Sequence, residues 1–201
     1  MGVIHAAAGL DRQTRFKLVS VLLDYPDEGV VQRLLEARRI AEEAGDQEMA
    51  RVVAALAAIP PSALARRYVE TFDMQEQTAL YLTAHELGDS RERGGALLRL
   101  HAMLRAAGLE PEAGELPDYL PLLFEFLAEK PNGMPTEDLE KRLCVVTAAI
   151  AGRLEPDHPY RPLFDLAVKL FDPVPSDATR LAPVKDPDAD SDALPYPLVY
   201  D

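Results

Sequence analysis

From Phe16 to Leu170 the apolar residues return at intervals of three and four, and no convincing stretch alternates with the period of two that marks a half-buried strand. A helix with one apolar stripe must bury it against another helix, so the expected fold class is all-α. Proline and glycine cut the pattern at Tyr25-Pro26, Pro60-Pro61, Gly88, Gly108, Pro117 and Pro131-Asn132-Gly133. The pieces predict eight or nine helices in a single bundle.

The first runs over about 11–23, with Phe16, Val19, Leu22 and Leu23 on one face. Pro26 suits the first turn of the second, where Asp27 and Glu28 meet the positive end of the helix dipole, and Val31, Leu34, Leu35 and Ile40 form its inner face. The third, about 46–59, turns Met49, Val52, Val53 and Leu56 inward. The fourth, about 62–72, stacks Leu64, Tyr68 and Phe72 at i, i+4 and i+8. A fifth ends at Leu87, with Gly88 free to take a positive φ; Asp89 and Glu92 then match a capping box for the sixth, which points Leu97, Leu100 and Leu104 inward. Gly94-Gly95, inside that helix, predicts a close helix–helix approach. The seventh, about 117–130, carries Leu120, Leu123, Phe124 and Leu127. The eighth, about 136–154, buries Leu139, Leu143, Val146 and Ile150; the ninth, about 160–171, buries Leu163, Phe164, Ala167 and Leu170.

Beyond that, 172–201 holds six prolines and seven aspartates against one lysine and one arginine. Such a stretch buries too little apolar surface to offset the entropy of ordering it. The expected organisation is therefore a helical domain at 1–171 and an acidic, proline-rich, mostly disordered tail at 172–201.

A formal net charge of -13 argues against nucleic acid and anionic membrane as partners, since both attract lysine and arginine. The first residues lack the features of a secretory signal, and no run approaches the ~20 apolar residues of a membrane span, so a cytoplasmic protein is expected. Phosphate-binding glycine loops are absent. His85-Glu86 opens like a zinc-protease signature, but Asp89 stands where the second histidine is needed. Cys144 sits in the apolar run Leu143-Cys144-Val145-Val146, which reads as a buried, inert thiol. No catalytic residue, metal or cofactor is expected.

The unusual residues cluster between Tyr68 and Leu127. In order they are Tyr68-Val69-Glu70-Thr71-Phe72-Asp73, Leu80-Tyr81-Leu82-Thr83, Gly88 to Gly94, and Glu115-Leu116-Pro117-Asp118-Tyr119-Leu120 running on to Leu127. With Leu22-Leu23-Asp24-Tyr25-Pro26 upstream, these blocks resemble the NarJ family, the assembly chaperones of respiratory nitrate reductase, over about residues 14–171. The resemblance implies a TorD-like helical fold without catalytic activity. It implies a partner, the catalytic (alpha) subunit of a nitrate reductase, bound through its N-terminal segment while molybdenum cofactor is inserted and before membrane docking, with cofactor delivery proteins as further partners. A sibling molybdoenzyme is the alternative client; a small metal-dependent helical hydrolase is the alternative from another class. Where the family commonly has histidine this chain has Tyr119, a ring with a polar tip but no titratable imidazole.

The family's ligand is a short basic segment that folds as an amphipathic helix, so helix-in-groove recognition is expected. Burying one Leu-sized anchor is worth roughly 1.5–3 kcal/mol, against about 0–1 for an exposed ion pair, so apolar lining should set affinity and acids orientation. The expected peptide-binding residues are Tyr68, Phe72, Tyr81, Tyr119, Leu120 and Phe124, with Glu70, Asp73, Glu115 and Asp118 at the rim. Phe72, Leu120 and Phe124 could equally be plain core, and Asp118 could serve the start of a helix.

Overall fold

Asp11 starts the first helix: its carboxylate accepts the Thr14 N–H at 2.9 Å and the Thr14 hydroxyl at 2.7 Å, and α1 runs Arg12–Leu23. Asp46 starts α3 (Gln47–Ala57) in the same way, accepting the Met49 N–H at 3.0 Å. Although buried, Asp46 also takes the Leu10 N–H at 3.3 Å and the Arg15 guanidinium at 2.8 Å, which ties the incoming chain, α1 and α3 at one point.

The computed structural model describes residues 9–172; the rest of the predicted tail lies outside them. Between α1 and α3 comes α2 (Val30–Glu43), and after α3 come α4 (Pro61–Tyr68), α5 (Leu82–Leu87), α6 (Glu92–Ala106), α7 (Leu120–Glu129), α8 (Glu137–Arg153) and α9 (Arg161–Lys169). Among the described residues there are nine α-helices and no strand, as the periodicity predicts. No single helix among them is long and apolar enough to cross a membrane.

The principal seam lies between α1 and α7. Phe16, Phe124 and Phe171 close it with ring centroids 5.4–6.1 Å apart, and Lys17 reaches across its edge to Glu125 and Glu129. A second aromatic cluster joins the end of α4 to α9: Phe72 lies 5.0 Å from Tyr68, 5.1 Å from Tyr160 and 5.8 Å from Phe164. The α5 helix is held to α8 by Arg142, whose guanidinium makes two 2.7 Å bonds to the Glu86 carboxylate.

Several local expectations are corrected. Pro26 does not open α2; Asp27 accepts the Gly29 N–H at 2.7 Å in a side-chain turn, and the helix begins at Val30. The inner face of α2 is Val30, Leu34, Ala37 and Ala41, while Val31 and Leu35 are 49% and 57% exposed. The capping box at Asp89 does not form, because α6 begins only at Glu92, after a turn in which Arg93 N–H bonds Ser90 O. Gly88 does take a positive φ, 54°. In α6 it is Ala96, rather than Leu97, that is buried with Leu100 and Leu104, and among the described residues nothing approaches within 4 Å of where a Cβ on Gly94 would sit, so none of the described helices packs there.

Candidate functional site

The fourth helix does not stop at Tyr68. Over Val69–Asp73 the chain widens into a π turn, with Met74 N–H bonding Val69 O at 3.0 Å. In a regular α-helix Asp73, five residues on, would lie roughly 140° round the axis from Tyr68. The wider π turn swings it back toward the Tyr68 face, and both side chains line one hollow.

Two short segments form the opposite wall. Leu82 N–H bonds Asp118 O at 2.9 Å and Leu120 N–H bonds Leu80 O at 2.8 Å, so Tyr81 and Tyr119 make an isolated antiparallel bridge. These bonds flank the pair rather than join it, the arrangement that sets facing side chains closest, and the two rings lie 5.6 Å apart on one side. Asp118, between them and α5, is fully buried: one of its oxygens accepts both the Thr83 N–H, at 3.0 Å, and the Thr83 hydroxyl. It thereby caps α5 from outside and fixes the bridge.

The result is an open hollow of about 220 Å3 lined by Tyr25, Tyr68, Asp73, Leu80, Tyr81, Glu115 and Tyr119. The Tyr68 and Tyr119 hydroxyls share a 2.8 Å hydrogen bond, and the Tyr81 hydroxyl donates to Glu115 at 3.0 Å. Tyr25 meets Tyr68 edge-on at 5.5 Å. Burial, with the neighbouring hydroxyl and the charges of Asp73 and Asp24, pushes the Tyr68 phenol well above its ordinary value; Tyr119 is raised by burial too. Burial and the charge of Glu115 push Tyr81 up to about 12. Burial also raises Asp73. All three hydroxyls therefore stay protonated at neutral pH and act as neutral hydrogen-bonding groups.

Of the ten residues predicted for the site, five converge here: Tyr68, Asp73, Tyr81, Glu115 and Tyr119. Phe72, Leu120 and Phe124 lie in the core at 2% exposure or less and do not line the hollow; of these, Phe72 packs 5.0 Å from the Tyr68 ring. Asp118 is not at a rim, being sealed behind the bridge, and Glu70 is exposed and does not line the hollow. Tyr25 and Leu80 were missed. The signal for Tyr25 was an aromatic just past the end of α1 that no apolar stripe used; Leu80 reads as ordinary core.

Residues 38–164, which include most of this surface, match the family described as nitrate reductase delta subunit. The chain is 37% identical over 149 residues to a Bacillus subtilis protein named Probable nitrate reductase molybdenum cofactor assembly chaperone NarJ, covering 72% of this chain and 80% of that one. It is 34% identical over 160 residues to Nitrate reductase molybdenum cofactor assembly chaperone NarJ of Escherichia coli, covering 76% and 67%. The chain belongs to the nitrate reductase delta subunit family. Its fold is that of a protein from Archaeoglobus fulgidus described as a redox enzyme maturation protein, with a TM-score of 0.63 over 80% of this chain and 93% of that one at 24% identity. This is the TorD-like fold that the resemblance implies. The named relatives are assembly chaperones rather than catalysts.

Proposed function

We propose that this family member is a cytoplasmic assembly chaperone that binds the N-terminal segment of the apo catalytic subunit of a respiratory nitrate reductase and holds it while molybdenum cofactor is inserted, before membrane docking. The observation that carries the reading is the identity of 34–37% to NarJ chaperones over most of the chain, including the stretch that builds the hollow. The hollow supports it chemically. Four tyrosines and two carboxylates, Asp73 and Glu115, on a fixed backbone suit a basic segment with apolar faces. Tyr68, Asp73, Tyr81, Glu115 and Tyr119 contact the segment, Phe72, Leu120, Phe124 and Asp118 hold those contacts in place, and Glu70 lies on the approach.

An affinity pull-down with this chain from cells grown on nitrate, followed by identification of the retained subunit, tests the reading. Recovery of the cofactor-free nitrate reductase catalytic subunit is the expected result. Recovery of another molybdoenzyme instead would move the client to that enzyme, and recovery of neither would sink the proposal. Deleting the gene is expected to leave the client synthesised, inactive and without its cofactor.

A further inference from the structure

The hollow is unusual in having charge of only one sign. Asp24, Asp73 and Glu115 are close enough to raise the tyrosine hydroxyls around them, yet among the described residues no lysine or arginine makes an ion pair with any of the three. Arg33 is the cation that reaches this end of α1, and it is committed elsewhere: it bonds Asp27 at 2.7 Å and the Tyr25 carbonyl at 2.7 Å. Those bonds fix the backbone under the Tyr25 ring without neutralising the hollow.

We propose that the hollow is a receptor for a single arginine side chain of the bound segment, its guanidinium lying against the tyrosine rings and pairing with Asp73 and Glu115. This rests on the chaperone reading above and adds to it the chemistry of one anchor. Tyrosine rings attract a cation placed over their faces, and a carboxylate beside them supplies the opposite charge. Arginine fits better than lysine because the guanidinium is planar, stacks on aromatic rings and gives up its hydration more readily. Glu115 already accepts the Tyr81 hydroxyl through Oε1, which orients the carboxylate, while Asp73 has no side-chain partner among the described residues. A volume of about 220 Å3, open to one side, admits one such head group and the end of its stem.

The test is a double-mutant cycle by calorimetry on the full chain. The probe is a synthetic peptide of the N-terminal segment of a nitrate reductase catalytic subunit from the same organism as this chain, with each arginine replaced in turn by norleucine or by lysine. One arginine should stand out: its norleucine replacement weakens binding to the wild-type chain by about tenfold or more, and lysine restores only part. On the Asp73→Asn, Glu115→Gln variant the same replacement should cost almost nothing more, which places that arginine against those carboxylates. Tyr25→Leu, at a ring already 45% exposed, should weaken the wild-type peptide severalfold with an unchanged melting temperature. Equal losses in both backgrounds for every arginine would overturn the anchor while leaving the chaperone reading standing. Failure of the unaltered peptide to bind the wild-type chain would remove both.

Discussion

Thr83 enters α5 with its N–H and its hydroxyl aimed at one oxygen of Asp118, the same oxygen that Arg93 approaches to 3.9 Å, while the other oxygen of that buried carboxylate has no partner among the described residues. This asymmetry predicts unequal effects of two small substitutions. Asp118→Ala removes the acceptor and strands a buried N–H, a loss of about 2–3 kcal/mol in urea unfolding. Asp118→Asn can keep its carbonyl on Thr83 but leaves a buried amide without an acceptor, so the cost should be smaller than for alanine, about 1 kcal/mol. Equal losses would mean that the charge, not the acceptor, holds the bridge. Asp46 makes the acid limb of stability predictable. Burial works to raise its pKa, but the Met49 and Leu10 amides and the Arg15 guanidinium outweigh it and hold the folded value below the ordinary 3.8. The unfolded chain therefore binds this proton first, so the contribution is complete above pH 3.8 and drains away as the pH falls through the lower folded value. Melting followed down through that window should show Asp46→Asn losing less with acid than the wild type, from a lower starting point.

The α1–α7 seam is the element on which the hollow stands, and Phe124 is completely buried in it, 6.0 Å from Phe16 and 6.1 Å from Phe171. Phe124→Ala leaves a cavity that the two neighbouring rings cannot refill, so a loss of about 3–5 kcal/mol is expected. In a chain of this size that is roughly 10 °C in melting temperature, and any weakening of peptide binding would follow from it. The apolar faces that meet in such seams were legible in the sequence, because Phe16, Leu120, Phe124, Leu143 and Phe164 each sit on a stripe of helical spacing and are too large to leave in water, but which helices pair was not. The face of α2 was not legible in the same way. Val30 and Val31, and Leu34 and Leu35, are adjacent pairs of similar hydrophobicity about 100° apart on the helix. What chose between them was Ala37 and Ala41, small enough to let α2 lie close on α3, which a search for large apolar residues passes over. The π turn was illegible for a different reason. It preserves the inward stripe Leu64, Tyr68, Phe72 that the sequence displays, and changes only where Asp73 ends up. The bridge between Tyr81 and Tyr119 likewise depends on two single residues 38 apart meeting in space, and no local pattern announces that.

At the scale of the whole molecule, charge and burial act on different steps of binding. A net charge of -13 surrounds the hollow with a negative field that draws a basic segment in from solution, and ions in the solvent screen that field over roughly 10 Å at 0.1 M salt. Once the segment is seated, its apolar contacts and its arginine lie where salt penetrates poorly, so dissociation should depend on salt far less than association does. The chain has no tryptophan, which lets a labelled peptide report both rates in stopped-flow without interference. Between about 20 mM and about 300 mM salt the association rate is expected to fall roughly tenfold, while the dissociation rate changes by less than about twofold. The Asp73→Asn, Glu115→Gln variant should retain most of that association rate, since it removes 2 of 34 acidic residues, and should show its defect in dissociation. The reverse outcome, a salt-sensitive dissociation rate in the wild type, would place the arginine on the open surface. The tyrosine walls would then be framework rather than receptor.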